Sequence, residues 1–220
     1  MRVLDISTEI RQSEPCVGKN RHLETHIEQE PERLDLRLRA IYFYHKQKAS
    51  LFDLVISKLS GGWKCSTANQ QKRAHILWII KNAPGANIGD NDSFQISPYF
   101  DPKGFVLAEQ LWSELLESQS QNLSIKRNAG QFFIFTKPEK ALEIYISASL
   151  IEPDNFEWRS KANYARWLLT GSKIDGIKWN ISYWKWKLQI ASDQSSAINA
   201  QHEIQKYELQ LQNEIPRDEL

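Results

Sequence analysis

The sequence predicts an all-α protein: a right-handed α-helical repeat with an irregular N-terminal unit and a helix that caps its C-terminal end. Three observations lead there. Residues 122–155, NLSIKRNAGQFFIFTKPEKALEIYISASLIEPDN, read as two short amphipathic helices joined by a tight turn. Helices this short cannot cover their apolar faces alone, so neighbouring units must do it. Ala108 and Trp112 stand 33 residues before Ala141 and Tyr145, and Asn122 stands at the same offset from Asn155. The end of the chain, from Ala191 to Glu214, sets a few apolar residues among Gln, Glu and Asn, as a solvated closing helix does.

Taken in order, residues 1–20 lack periodicity and form a flexible tail. A short helix is expected from His22 to Gln29, ended by Pro31. Leu34, Leu38, Ile41, Tyr42 and His45 share one face of the next, from Glu32 to Gln47. Ala49 to Leu59 offers a further helical turn or two, broken by Ser60-Gly61-Gly62, and Trp63 to Asn69 is a loop. Gln70 to Asn82 is a helix with Ala74, Leu77, Trp78 and Ile80 as neighbours, stopped by Pro84-Gly85. Residues 85–101 are rich in Gly, Asn, Asp and Pro and form a long surface loop. Asp101-Pro102 is a cap followed by proline at the first helical position, so a helix runs from there to Ser118.

The paired helices follow. The first runs from Leu123 to Phe135, and the second opens at Pro138 and closes before Pro153. A helix from Phe156 to Leu169 stops at Gly171, and its partner spans Lys173 to Ile190. Trp179, Tyr183, Trp184 and Trp186 cover more than one face of that partner, which suits burial on two sides. Pro216 ends the closing helix. The division expected is a tail over 1–20, one helical-repeat domain over 21–190 that carries the 85–101 loop, and a capping helix and tail over 191–220.

Ala141, Tyr145, Ala148 and Pro153 have the spacing of the second helix of a tetratricopeptide repeat, and Ala129 and Phe132 fall where its first helix carries a small residue and an aromatic. The chain resembles that family over roughly Asp101 to Ile190, and more weakly back to Glu32. It looks like a bacterial group of such proteins whose activity is mostly unassigned. The resemblance implies a scaffold that binds a protein or peptide in a concave groove lined by the first helix of each pair. It places Arg37, Lys126, Arg127, Lys161 and Arg166 on groove-lining helices, with Phe133 either in the groove or in the core. Basic side chains there suit an acidic peptide or a chain-terminal carboxylate.

Composition narrows the alternatives. Hydrophobic residues make up 41% and charged residues 25%, the usage of an ordinary globular protein. A net charge of +1 argues against a nucleic-acid binder that works by bulk charge. No apolar run reaches the ~18 residues of a membrane span. The first residues contain no apolar leader core, and Cys16 and Cys65 suit free thiols, so the expected location is the cytoplasm, with no membrane partner. The terminal Arg-Asp-Glu-Leu then resembles a retrieval signal by coincidence. Eight Trp invite either a core of wedged aromatics or a stacking surface for bases, and their helical spacing favours the core.

Catalytic signatures are lacking. No phosphate-cradling Gly-rich loop, nucleophile elbow or HExxH occurs. His22 and His26 share a helix face at metal-ligand spacing without a complete ligand set, and Asp90, Asp92 and Asp101 lack the central glycine of a calcium loop. His75 reads as a satisfied structural histidine. The expectation is a non-enzymatic scaffold without metal or cofactor. An enzyme or enzyme accessory acting through the 85–101 loop, or an RNA or single-strand binder using Trp and Arg, are the alternatives.

Overall fold

A computed structural model of the chain describes residues 21–46, 67–88 and 92–214. Among the described residues there are nine α-helices and no strand: α1 Arg21–Gln29, α2 Leu34–Lys46, α3 Thr67–Asn82, α4 Pro102–Ser118, α5 Leu123–Phe133, α6 Pro138–Ile151, α7 Phe156–Thr170, α8 Lys173–Gln189 and α9 Gln194–Glu214. A 3-10 turn spans Asp92–Phe94. The all-α expectation holds. The helix expected over 49–59, the ending at Pro216, Asp90 and both cysteines lie outside the described residues. The chain clusters into two compact units, Met1–Glu117 and Ser118–Leu220, where one domain was expected over 21–190 with a separate segment after it.

In the first unit, α1 and α2 close over Ile27, Leu36, Ala40 and Tyr44, with Leu23 and Phe43 packed alongside. Helix α3 begins at Thr67, earlier than Gln70, because Ala68 alone in a polar first turn gives apolar periodicity nothing to register. It packs on α2 and buries His75, Ile76, Leu77, Ile79 and Ile80. Trp78, expected on the core face, is only partly buried, and the Arg37 guanidinium lies 3.9 Å from the centre of its ring. The 85–101 segment is anchored where it is described. Ser93 and Ile96 are buried, and Lys72 Nζ donates to the Gln95 carbonyl at 3.2 Å. Asp101 caps α4 by accepting from the Gly104 amide, and the same carboxylate pairs with Arg73 at 3.0 Å. Gly104 leaves the room this pair occupies, since a Cβ there would collide with both side chains.

In the second unit each helix packs on the next in sequence, α5 on α6, α6 on α7, α7 on α8 and α8 on α9. Connections this short between packed helices make antiparallel neighbours. The 33-residue offset reappears as burial. Ile125 and Trp158, Ala129 and Ala162, and Phe132 and Ala165 are buried at matching places on α5 and α7. Asn122 and Asn155 cap these two helices with nearly the same backbone angles, φ/ψ of −81/104 and −85/104 degrees. Ala108 and Trp112 of α4 are as buried as Ala141 and Tyr145 of α6. Between α5 and α6 the close approach comes from Gly130. A Cβ there would sit 2.5 Å from the Tyr145 ring, so the missing side chain is what lets the ring lie against α5. Gly171 ends α7 at φ 61 degrees, the left-handed cap. Lys173 pairs with Glu214 and Lys185 with Glu208, which fasten α9 along α8.

Candidate binding face

Aromatic residues one helical turn apart share a face. On α7 these are Tyr164 and Trp167, and on α8 Trp179, Tyr183 and Trp186. The two sets meet along the hairpin. Tyr164 lies 4.8 Å from Trp179, and Trp167 stacks on Trp179 at 5.3 Å with the planes 12° apart. Trp179 continues to Tyr183 at 6.5 Å, and Tyr183 to Trp186 at 5.9 Å and Trp184 at 5.4 Å. Phe135, from the α5–α6 turn, meets Tyr164 edge-on at 6.4 Å and is 57% exposed. Gly176 eases the join, because a Cβ at that position would lie 3.2 Å from Trp167 Nε1 and the indole would have to give by a few tenths of an ångström.

This strip is half-buried, unlike Trp112 and Trp158, which are core. Burial pushes the Tyr164 hydroxyl above the ordinary phenol range. None of the hydroxyl or indole N–H groups of Tyr164, Trp167, Trp179, Tyr183, Trp184 and Trp186 makes a hydrogen bond among the described residues. Of the two core tryptophans, Trp158 donates from Nε1 to Glu152 at 2.8 Å, whereas Trp112 Nε1 is buried without a partner among the described residues.

The hairpin that carries the strip is basic. From Phe156 to Gln189 the hairpin carries seven Lys and Arg against Glu157 and Asp175, a local balance of +5 in a chain of +1. Lys173 and Lys185 are paired with α9. Lys187 lies 5.4 Å from the Tyr183 ring and 5.0 Å from that of Trp186. Arg166 and Lys178 are exposed and make no ion pair among the described residues.

The residues expected to line a groove fare differently. Arg166 is exposed. Lys161 is part-buried, its Nζ 5.9 Å from the Tyr145 ring. Arg127 grips Glu157 with two hydrogen bonds of 2.9 Å and lies over Trp158, joining α5 to α7. Lys126 is buried, with Nζ donating to Ser147 Oγ at 2.7 Å. Burial lowers its amine below the ordinary lysine range. Phe133 is core, beneath Lys140. Arg37 is buried in the first unit, donating twice to the Pro31 carbonyl and facing His75 Nδ1. Arg37, Lys126 and Phe133 are thus buried within the chain, Phe133 in the core, one of the two places expected for it.

Arg37 belongs to an internal polar network. Because Arg37 only donates, His75 Nδ1 accepts, and Nε2 is left to donate to Glu24 Oε1 at 3.1 Å. Tyr44 donates to the same oxygen at 2.5 Å and stacks on the imidazole. Desolvation pushes the Glu24 carboxyl up, but hydrogen bonds and charges from His75, Tyr44 and Arg37 outweigh it and hold it below the ordinary range. His75 is thus tied on both nitrogens, a structural residue as its place on α3 suggested. His22 and His26 are exposed on α1, and no group of three metal-ligating side chains gathers among the described residues.

Where the strip ends at Trp186, a shallow depression of about 500 Å³ opens beside Glu152, Glu157 and Ile190. Two of its three carboxylates are committed. Glu157 holds Arg127, and Glu152 accepts from Trp158 and from Asn155 at 2.9 Å. The strip is the part of the site that the sequence reading missed. Its signal was present in the turn-spaced aromatics of α7 and α8, but that spacing is shared by core residues, and side-chain burial alone tells them apart. Comparison with protein-family models, with curated proteins and with solved structures gives no match.

Proposed function

We propose that the chain is a binding scaffold of the tetratricopeptide-like, right-handed solenoid kind, working in the cytoplasm. Its working surface is the aromatic and basic face of the α7–α8 hairpin, and its ligand is an extended segment of a partner protein. The observation that carries this reading is the row of five half-buried side chains, Tyr164, Trp167, Trp179, Tyr183 and Trp186, whose polar ends make no hydrogen bond among the described residues. Such side chains offer large rigid contact area and directed hydrogen bonds at low entropic cost, the usual anchors of a protein interface. The 33-residue recurrence of buried positions and caps supports the repeat architecture.

The test is affinity capture from native lysate with the wild-type chain and with a Lys187→Glu variant, read by quantitative mass spectrometry. Lys187 lies over the Tyr183 and Trp186 rings and is only half-buried, so the fold should tolerate the change. A defined set of proteins lost by the variant supports the α7–α8 face. Identical capture by both chains removes it.

A further inference from the structure

The break between α8 and α9 is made differently from the breaks before it. Pro138, Pro153 and Gly171 stand between α5 and α6, α6 and α7, and α7 and α8. Between α8 and α9 stand Ile190, Ala191, Ser192 and Asp193, with no Gly, no Pro and no left-handed residue. The Ile190 amide still bonds to the Trp186 carbonyl in the α-helical pattern, and the pattern resumes where the Ala197 amide bonds to Asp193. Ile190 stands at φ −102 and ψ 5 degrees, a rotation of about 40–50 degrees from helical values. What holds the break is the cap of α9. Asp193 accepts from the Ser196 amide at 2.8 Å and from its hydroxyl at 2.6 Å. No residue of this turn forbids a single helix over 173–214, about 60 Å long.

The docking of α9 is also light. Of its 21 residues, Ala200 and Ile204 alone are fully buried. The pairs Lys173–Glu214 and Lys185–Glu208 lie at the solvent margin, where ion pairs contribute little. These pairs mark the side of α8 that α9 covers, and Ile177, Ile181, Trp184 and Leu188 recur on that side at three- and four-residue steps. Once α8 and α9 straighten, this apolar side needs a cover, and the segment shaped to fit it is α9 itself. The α9 of a second copy makes the same contacts, ion pairs included, across chains instead of within one. Two such helices run antiparallel and meet at their hinges on a two-fold axis, where Ile190, 55% exposed in the single chain, gains cover. We propose that two copies of the chain exchange α9, forming a dimer in which each α9 covers the other copy's α8. This is independent of what the α7–α8 face binds, and the dimer presents two such faces to one partner.

Sedimentation velocity on the full chain across a wide range of concentration, followed by a zero-length carbodiimide crosslink of Lys185 to Glu208, tests the exchange. Light and isotope-labelled heavy chains are unfolded and refolded together beforehand. The expected result is a dimer at high concentration whose Lys185–Glu208 peptides combine light and heavy chains. Asp193→Ala, which removes the cap and a poor helix former from both hinges, should raise the dimer association constant by about tenfold or more. Ser192→Pro, which cannot sit inside a continuous helix, should lower it by about a hundredfold and leave the helix content of the monomer unchanged. A wild-type chain that stays monomeric at every concentration overturns the proposal. So does a dimer whose Lys185–Glu208 peptides are each of one isotope, because every α9 has then kept its own α8. A dimer indifferent to Asp193→Ala overturns it as well, whether or not Ser192→Pro folds.

Discussion

Lys126 and Gly130 sit one turn apart on α5, and neither does what its residue type suggests. Lys126 is a cation with one hydroxyl acceptor for three donors, and burial has lowered its amine. The direction of the shift fixes the sign. A lysine whose folded value is lowered costs stability while it must carry charge, and the cost disappears as pH rises above its unfolded value. Lys126→Met should therefore raise the midpoint of thermal unfolding at neutral pH by a few degrees, about 1 kcal/mol. Ser147→Ala, which strands the ammonium, should lower stability by about 1–3 kcal/mol. A midpoint lowered by Lys126→Met would show that the amine has an anionic partner in solution. Gly130→Ala should destabilise by about 1–3 kcal/mol through overlap with Tyr145, against the ~1 kcal/mol that alanine gains in helix propensity. A double-mutant cycle with Tyr145→Leu should recover most of the loss, and additive losses would place the strain elsewhere. At this scale the sequence was legible in part. Ala129 reads correctly as a small core residue, while the glycine beside it, which admits the ring, carries no periodic mark. The burial of Lys126 has no mark in the sequence, because charged residues are mostly exposed and only the facing helix shows that this one is covered.

Helix ends were the clearest feature of the sequence, because caps are local chemistry. Asp101-Pro102, Pro138, Asn155 and Gly171 all mark boundaries where the structure has them. The start of α3 was missed because its first turn carries a single apolar residue, Ala68, which sets no period. The cap of α7 carries more than its own helix. Asn155 accepts from the Glu157 amide through Oδ1 and donates through Nδ2 to Glu152, whose carboxylate also receives Trp158 Nε1. Hydrogen bonds from Trp158 and Asn155 hold the Glu152 carboxyl below the ordinary range. A carboxyl lowered by folding stabilises the fold above its unfolded value, and that contribution is lost as pH falls through the folded one. Denaturant unfolding followed by Trp emission should thus show an acid-side loss of stability that is smaller in Glu152→Gln, which still accepts from Trp158 but cannot titrate. An unchanged acid limb in that variant would assign the loss to other carboxylates. Asn155→Ala should cost about 1 kcal/mol at any pH where the protein is folded.

At the scale of the molecule, net charge and net composition conceal what matters. A chain of +1 contains a hairpin of +5 lined with aromatics, so the overall balance was a poor guide to its surface. The same averaging applies to stability, since the chain divides into two compact units, each with an interior polar tie. In the second unit the Arg127–Glu157 pair joins α5 to α7. In the first, Glu24 of α1 meets Tyr44 and Arg37 of α2 and His75 of α3 in one network. Glu24 Oε1 accepts from both His75 Nε2 and Tyr44, so replacing the carboxylate weakens two hydrogen bonds at once in a covered site. Glu24→Gln retains one acceptor oxygen but loses the charge, and should lower the stability of the first unit by about 1–3 kcal/mol. Hydrogen exchange read by mass spectrometry resolves where that loss falls. Amides of α1, α2 and α3 should exchange faster in the variant by about tenfold or more, the exponent of that free energy, while those of α5 to α8 keep their wild-type rates. Faster exchange spread evenly over all the helices would mean that the two units open as a single cooperative body. The strip on α7–α8 would then depend on contacts made far away in the chain, and a partner seated there would protect α1 to α3 as well.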